Sequence, residues 1–455
     1  MISLQCEIDQ VASVEPLRII GAVSAVRGLV VLIEDLPIPV GSLVSIHASN
    51  GVRRGEVVGF EHGKTIAMLY GQIAGVRQGD RVIGEHCSPT VSIGDGWRGR
   101  VINALGEPID GGPNLFGGRP VALDPDPAGA MSRERISTAL ATGVRSIDSL
   151  LSIGRGQRVG VFAGPGLGKS TLLGSIARNT AADVNVIALI GERGREVRDF
   201  IETALGDEGL RRSVVIVSTS DESPLMRIRA MFVACACAEH FRDQGADVML
   251  MMDSITRFAQ AQRQVGLASG EPPATRGFTP SVFALLPRIL ERAGAMQGAG
   301  SITGIYAVLV EGEEITDPIT DAVRGVLDGH IALSRDLAQR GHFPAIDVLR
   351  SVSRVADDVC DPMLIESRRR AIRIMADYEE VADLVQIGAY ARGSSVASDI
   401  AIEMKPHIDH FLRQARDERC SPEDARQGLF EIVERAGAME QSLRSARPST
   451  PRNES

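Results

Sequence analysis

The spacing of apolar residues divides the chain into three parts. Up to about residue 95, short apolar runs are separated by Gly, Pro, Asn and charged residues. Short, evenly spaced runs of this kind predict β-strands that close into a small barrel. A glycine-rich connector follows over residues 96–135. The strands predicted in the first part are Val30–Ile33, Leu43–Ile46, Glu56–Val58 and Thr65–Tyr70.

Continuous apolar runs alternate with helical stretches between about residues 135 and 360. Because these runs lack polar alternation, they predict strands that are covered on both faces, as in a parallel sheet flanked by helices. From about residue 361 to 440, apolar residues recur at the three and four spacing of a helix face. The predicted central strands are Arg158–Phe162, Val184–Ile190, Val214–Val217, Val248–Met252 and Ile305–Val310.

These patterns predict an α/β protein, and a length of 455 residues is enough for roughly three domains. We expect an N-terminal β-barrel in residues 1–95, a parallel-sheet domain in 96–360 that includes the connector, and a C-terminal helical domain in 361–440. Residues 441–455 are rich in Ser, Pro, Arg and Asn. Their composition predicts a disordered tail.

Composition and charge narrow the possible functions. The chain has 49 basic and 58 acidic residues, whereas proteins that hold nucleic acid chiefly through its phosphates are usually basic. Cys235 and Cys237 stand in an apolar run without a second pair at metal-ligand spacing, so we interpret them as core residues. The N-terminal residues include acidic side chains where a signal peptide would have basic ones, which argues against a signal peptide. No apolar run approaches the roughly 20 residues that a membrane span requires. The sequence therefore predicts a cytoplasmic protein.

The segment Ala163–Ser170, Ala-Gly-Pro-Gly-Leu-Gly-Lys-Ser, follows a predicted strand and opens a predicted helix. In this context a glycine-rich loop turns consecutive N–H groups towards phosphate oxygens, and the helix N-terminus adds positive potential. Lys169 would reach the outer phosphates and Ser170 would ligate magnesium. A turn that only joins strand to helix needs no Lys-Ser-Thr. The segment therefore predicts ATP and Mg²⁺ as ligands, with a nucleotide-binding set of Gly164, Pro165, Gly166, Leu167, Gly168, Lys169, Ser170 and Thr171.

Two acidic residues follow other predicted strands. Asp253 ends the strand Val248–Met252, and carboxylates at this edge of a parallel sheet lie where ligands bind. It is predicted to hold Mg²⁺ directly or through water, although it is also suited to cap a helix. Glu192 follows the strand that ends at Ile190 and is predicted to polarise the attacking water. Arg193 beside it could neutralise the outer phosphate; the alternative for both is a solvated charged turn.

Further segments resemble the rotary and type III secretion ATPase superfamily. They are Gly191–Val197, Asp253–Arg257 and Pro344–Ser353. The resemblance covers about residues 20–440 and implies a RecA-like central domain. Within the superfamily the chain is most similar to the flagellar type III export ATPases, and injectisome ATPases are very similar to these. The segments that favour the flagellar type are Phe162–Thr171, Glu271–Phe283, Val323–His330 and Leu384–Tyr390.

The resemblance assigns a role to each of the acidic and phosphate-loop residues. Lys169 and Ser170 are implied to contact phosphate and magnesium. Glu192 is implied to be the catalytic base, and Asp253 to be the acidic residue on the magnesium side. The roles that the bare sequence suggested for these four residues are therefore the same as those that the family implies.

Three arginines receive roles from the resemblance. Arg193 and Arg257 are implied to contact the outer phosphate, and Arg354 matches the arginine that reaches into a neighbouring subunit's site. From the sequence alone Arg354 would be a surface charge. Because Glu192 and Arg354 occur in one chain, a head-to-tail ring of identical subunits could build every site. Rings of this family have six subunits, so the resemblance implies a homohexamer.

The resemblance also implies partners. Leu4, Ile8 and Val11 stand at helical spacing in the N-terminal segment, which in the family docks a stator-like regulatory protein; a frayed terminus is the alternative. The C-terminal helical domain is implied to face export chaperones and substrate proteins. The ring is implied to lie peripherally at the inner membrane, beside the membrane proteins of the export gate. No nucleic-acid partner is expected.

The function predicted from these features is that of an ATP-hydrolysing motor for flagellar protein export. The alternatives are an injectisome ATPase and the catalytic subunit of an ion-coupled rotary ATP synthase. A nucleic-acid translocase of the transcription-terminator type disagrees with the acidic charge balance and with the lack of an aromatic-rich basic N-terminal domain. A pure binding module would not need Lys169, Glu192, Asp253 and Arg354 together.

Overall fold

The computed structural model describes residues 19–85, 89–310 and 317–446. The predicted docking segment with Leu4, Ile8 and Val11 lies outside these residues, as does the tail beyond residue 446. The described chain consists of a closed barrel, a large mixed sheet with helices on both faces, and a helical region, in that order.

Six antiparallel strands close the N-terminal barrel in the order β1-β2-β5-β4-β3-β6. Along β3, Val44 and Ile46 are buried inside the barrel while Ser45 and His47 face outwards, which is the period-two alternation of a sheet with one wet face. The predicted barrel is therefore present. It contains the four predicted strands and two more, one before them and one after them in the chain. Its strands are Ile19–Arg27 (β1), Val30–Glu34 (β2), Leu43–Ala48 (β3), Gly51–Glu61 (β4), Lys64–Leu69 (β5) and Arg81–Glu85 (β6).

The connector between barrel and central domain has structure of its own. β7 (Thr90–Ile93) pairs antiparallel with β9 (Arg119–Ala122). β8 (Val101–Asn103) adds to the edge of the central sheet beside β12 (Ser213–Thr219). The glycine-rich stretch predicted as a simple linker thus holds the barrel against the sheet.

The central sheet has the strand order β17-β16-β10-β15-β13-β11-β12-β8, with β14 paired to β15. Neighbouring strands on this path are parallel except β17, which runs antiparallel to β16. The five predicted central strands are present, and β16 and β17 were not predicted. The remaining strands are Arg158–Ala163 (β10), Val184–Glu192 (β11), Asp247–Asp253 (β13), Gly294–Ala295 (β14), Ser301–Leu309 (β15), Gly329–Leu333 (β16) and Ile346–Ser353 (β17).

Helices cover both faces of this sheet. Cys235 and Cys237 are fully buried in α5, as their apolar surroundings predicted, and burial raises the pKa of both thiols. The helices of the central domain are Arg145–Leu150 (α1), Lys169–Asn179 (α2), Gly194–Asp199 (α3), Gly206–Arg211 (α4), Pro224–Asp243 (α5), Ile255–Ala268 (α6), Pro280–Leu290 (α7), Pro318–Val326 (α8), Arg335–Gln339 (α9) and Ala356–Val359 (α10).

Three helices form the C-terminal region: α11 (Pro362–Gln386), α12 (Val396–Leu412) and α13 (Pro422–Ala446). Their buried residues, including Ile374, Met404 and Leu429, belong to the same apolar cluster as α1 and α2, so the helical region packs directly on the central domain. None of the helices in the described ranges is both long enough and apolar enough to cross a membrane.

A buried arginine joins the barrel to the central domain. Arg229 of α5 is 7% exposed, and it donates from Nε to the Ala104 carbonyl at 3.0 Å and from Nη2 to the Thr90 carbonyl at 2.9 Å. Its Nη1 lies 3.4 Å from the hydroxyl of Tyr70, which donates to Glu56 Oε2 at 3.2 Å. Burial raises the pKa of Glu56, and the charge of Arg229 opposes this rise.

Replacing this arginine should destabilise the protein. Arg229→Met leaves the carbonyls of Ala104 and Thr90 without their buried donor and removes the positive charge near Glu56. We expect this to lower the free energy of unfolding by about 3 kcal/mol. Urea unfolding followed by the fluorescence of Trp97, the single tryptophan of the chain, measures this. The control Arg27→Met removes a barrel arginine that is 66% exposed and should change stability by less than about 0.5 kcal/mol. Equal losses in the two variants would contradict the role of Arg229.

Candidate active site

The glycine-rich loop joins the end of β10 to the start of α2. Gly166 and Gly168 have φ angles of 78° and 84°, a left-handed conformation that side chains disfavour. Gly168 is the N-cap of α2, and no side chain of the described residues caps this helix. Its first N–H groups are therefore available to an anion. Ser170 and Thr171 are exposed on this first turn, as the sequence predicted for ligand-binding hydroxyls.

Lys169 brings the two predicted carboxylates together. Its Nζ contacts Asp253 Oδ1 and lies 4.0 Å from Glu192 Oε1. Strand β11 pairs with β13 so that Leu189 lies beside Asp253. Both carboxylates therefore stand at the carboxyl edge of the sheet, where ligands bind in folds of this kind. The relevant side chains of Lys169, Glu192 and Asp253 are 11%, 18% and 3% exposed.

This environment prepares Glu192 to accept a proton near neutral pH. Burial, and then the negative charge of Asp253, raise the pKa of Glu192 to about 7. The ammonium of Lys169 acts in the opposite direction, and Glu196 adds a smaller increase. A general base is most effective when its pKa lies close to the working pH. Glu192 is thus deprotonated and able to act as a base above about pH 7.

The oxygen donors at this edge suit magnesium. Asp253 offers an almost fully buried carboxylate, and Ser170 offers an exposed hydroxyl one residue after Lys169. Magnesium binds oxygen ligands through few protein groups and keeps waters and substrate phosphates as the rest. A helix-capping role for Asp253 is not observed, because the N-cap of α6 is Ser254, whose hydroxyl accepts from the Arg257 N–H at 3.3 Å.

Arg257 lies next to the strand that carries Glu192. A Cβ on Gly191 would come within 2.9 Å of Arg257 Cβ, and Gly191 has a φ of 69°. Arg257 Nη1 is 3.4 Å from Gln260 Oε1, and its buried Nε has no hydrogen-bond partner among the described residues. A half-buried guanidinium with unused donors agrees with the predicted contact to an anion.

Arg193 points elsewhere. Its side chain is 81% exposed and lies 3.7 Å from Glu196, so the structure does not bring it to the group around Lys169. Its contact with the outer phosphate stays a prediction.

Arg354 lies at the opposite edge of the sheet from the glycine loop. Its N–H donates to the Asp328 carbonyl at 2.9 Å, and the Asp328 N–H donates to the Arg158 carbonyl at 2.9 Å. Arg158 begins β10 and Ala163 ends it, a separation of about 16 Å at roughly 3.3 Å per residue. This exceeds the reach of an arginine side chain. If Arg354 takes part in hydrolysis, it therefore does so in the site of a neighbouring subunit.

A cavity beside the glycine loop was not predicted from the sequence. It has a volume of about 270 Å³, and a Cβ on Gly168 would lie 3.9 Å from the ring of Phe343. Flat apolar cavities with an aromatic wall suit a purine base. The cavity is lined by residues from four separate parts of the chain, namely Val144, Leu167, Gly168, Thr171, Leu172, Ser175, Leu333, Phe343, Pro344, Ala345, Gln414, Ala415 and Arg416.

No local signal in the sequence could have indicated this cavity. Phe343 is an aromatic residue that is 47% exposed, and Gln414 lies some 70 residues further along the chain.

Three family models match the chain, each on one of its structural parts. The beta-barrel domain of the ATP synthase alpha/beta family matches residues 19–85, and the nucleotide-binding domain of the same family matches residues 143–353. The C-terminal domain of the type III secretion ATPase EscN matches residues 361–431. These matches confirm the predicted fold class.

Whole-chain relatives agree with this assignment. The chain is 48% identical to the flagellum-specific ATP synthase of Bacillus subtilis, covering 94% of this chain and 98% of that protein. It is 45% identical to the type 3 secretion system ATPase of Xanthomonas euvesicatoria, over 91% and 94% of the two chains.

A solved structure is similar over the whole fold. The assembled ATPase EscN of enteropathogenic E. coli superposes with a TM-score of 0.85 at 39% identity, covering 91% of this chain and all of that one. These comparisons confirm the resemblance seen in the sequence. The chain belongs to the ATP synthase alpha/beta family, in which it groups with the ATPases of flagellar and type III secretion systems.

Proposed function

We propose that this protein is the ATP-hydrolysing motor of a flagellar type III protein export apparatus, converting ATP to ADP and phosphate to support the unfolding, release and export of flagellar proteins. The observation that carries the hydrolytic part is the buried group of Lys169, Glu192 and Asp253 at the end of the glycine loop. The flagellar part is supported by relatives named flagellum-specific ATP synthase at 42–50% identity.

The residues of the site divide the work of hydrolysis. The glycine loop and the first turn of α2 bind the phosphates through N–H groups, and Lys169 and Arg257 neutralise the outer phosphate. Glu192 takes a proton from the attacking water as the bond to phosphorus forms. Ser170 and Asp253 would hold Mg²⁺, which when bound would neutralise charge at the outer phosphates. The purine base of the nucleotide packs in the cavity beside the glycine loop, against Phe343.

The position of Arg354 favours a ring in which each site is completed by a neighbour. The finger of one subunit then stabilises the charge that builds on the phosphoryl group in the next subunit. EscN, a relative in structure, is described as an assembled ATPase and as forming a complex with its central stalk. We propose a homohexamer that receives a stalk protein through its centre.

The helical region offers a surface for such a partner. At the end of α11, Leu384 and Ile387 are 45% and 74% exposed, and Glu379, Glu380 and Asp383 precede them. Exposed apolar side chains with charged neighbours are typical of protein contacts. We place the stalk, export chaperones and substrate proteins on this side of the molecule. The stator-like partner at the N-terminus and a peripheral position at the export gate of the inner membrane complete the proposal.

An injectisome ATPase is the second candidate, because the relative from Xanthomonas and EscN both belong to secretion systems. Deleting the gene in the organism that encodes it separates the two. We expect loss of flagellar filaments and of flagellar subunits in the medium, restored by the wild-type gene and not by Glu192→Gln. Retained flagella, with loss of a secreted effector instead, would establish the injectisome function.

Replacing the proposed base should separate binding from turnover. Glu192→Gln preserves shape and hydrogen bonding but cannot accept the proton, so we expect unchanged ATP affinity and a loss of at least about 100-fold in kcat. Fluorescent-nucleotide titration and phosphate release measure the two quantities. For the wild type, kcat/KM should fall as the pH drops below about 7, because Glu192 becomes protonated there. Undiminished turnover in the variant would remove Glu192 from the mechanism.

Mixing experiments test whether Arg354 acts between subunits. Arg354→Ala and Glu192→Gln should each be nearly inactive alone, with losses of about 10³-fold for the finger. In mixed rings, some sites combine an intact Glu192 with an intact Arg354 from the neighbour, so activity should partly return. Mass spectrometry of the assemblies confirms that mixed rings form. Mixed rings without any regained activity would show that Arg354 does not serve the neighbouring site.

A further inference from the structure

The loop between α12 and α13, residues 413–420, ties the helical region to the nucleotide cavity. The Gln414 N–H donates to the Phe343 carbonyl at 2.9 Å, and Gln414 Nε2 donates to the Gly143 carbonyl at 2.8 Å. Arg145 Nη1 donates to the Arg413 carbonyl at 2.9 Å. Gln414 is 8% exposed, so its amide is a fixed part of the structure. The 413–420 loop is thereby held as one wall of the cavity.

Arg416 in this loop has contacts on two sides. It lines the cavity beside the glycine loop, and its Nη2 donates to the carbonyl of Thr203. Its own carbonyl accepts from Arg178 Nη2 at 2.7 Å, and Arg178 Nη1 donates to the carbonyl of Ala204. Arg416 is thus connected at both its backbone and its guanidinium to the segment that contains Thr203 and Ala204.

That segment is a π-helical turn, Phe200–Leu205, which directly continues α3. Helix α3 begins two residues after Glu192. Phe200, Ala204 and Leu205 are buried, and a Cβ on Gly174 of α2 would lie 2.6 Å from the Ala204 carbonyl oxygen. Single π-helical turns recur at functional sites. One continuous helical segment therefore runs from Gly194, two residues after Glu192, to the Thr203 carbonyl that Arg416 contacts.

We propose that Arg416 recognises the base of the bound nucleotide and links its presence to the helical segment that directly follows Glu192. A guanidinium is planar and stacks on aromatic faces while its N–H groups keep a hydrogen bond in the plane. Arg416 can therefore contact a base in the cavity without losing Thr203. The inference rests on the proposed binding of ATP in this cavity, and it assigns a specific residue to recognition of the base.

Comparing a ligand that has a base with one that lacks it tests this role. ADP and tripolyphosphate, each with Mg²⁺, are titrated into wild type and Arg416→Ala by calorimetry. We expect the Kd of ADP to rise about three- to tenfold, the range of a partly exposed stacking contact, and that of tripolyphosphate to stay unchanged. Arg416→Lys, which keeps a donor and the aliphatic stem, should recover part of the ADP affinity.

Arg419→Ala is the matched control. Arg419 belongs to the same loop and contacts Glu208 on the surface, where their side chains are 65% and 61% exposed, and it does not line the cavity. Its removal changes the net charge by the same amount, so any general attraction for polyphosphate falls equally in both variants. ADP affinity should be unchanged in Arg419→Ala.

Hydrogen exchange tests the link to the catalytic segment. In the wild type, ADP should slow amide exchange in residues 200–205 more than tripolyphosphate does, and Arg416→Ala should abolish this difference. Equal weakening of ADP and tripolyphosphate by Arg416→Ala, or equal effects of the two alanine variants on ADP, would overturn the role of Arg416. Retention of both ligands by Lys169→Ala would instead refute the nucleotide site, and with it the inference.

Discussion

The meeting of Lys169 with Asp253 and Glu192 is the interaction on which the rest of the site depends. Two carboxylates are brought to one largely buried edge, and burying charges is costly unless they are paired. The pairing of β11 with β13, with Leu189 beside Asp253, leaves both acids within reach of the lysine. Burial, and then the negative charge of Asp253, raise the pKa of Glu192 to about 7. The burial that requires the two acids to be paired thus also supplies a base suited to neutral pH.

Segments from other parts of the chain pack around the central domain that carries this site. The cavity for the base combines α2 with the Phe343 segment and with the 413–420 loop of the helical region. The buried Arg229 fixes the barrel to α5 on another side. Arg354 lies at the far edge of the sheet, where its N–H donates to the Asp328 carbonyl. The barrel and the helical region therefore both pack against the central domain.

The sequence was most informative where burial is greatest. Central strands such as β11 and β13 are covered on both faces, so their unbroken apolar runs identified them. Strands β16 and β17 lie at one side of the sheet, and in Gly329–Leu333 buried residues alternate with half-buried ones, so no unbroken apolar run marks them. The many Gly and Pro residues of the connector indicate a linker, although β8 and β9 form by pairing with distant strands. A strand whose partner lies far along the chain leaves little local pattern.

The sequence by itself determined the three-part α/β organisation, the phosphate-binding loop and the identity of Glu192 and Asp253 as candidate site residues, because periodicity and motif spacing are local properties. Arg257 became a candidate only through the resemblance to the family. Only the tertiary structure decided that Lys169 lies between the two carboxylates, that Arg193 is directed to solvent, and that Arg354 lies too far from its own glycine loop to act there. It also decided that Phe343, Gln414 and Arg416 form one cavity. Distances between residues that are far apart in the chain depend on strand pairing and domain packing, which no local pattern encodes.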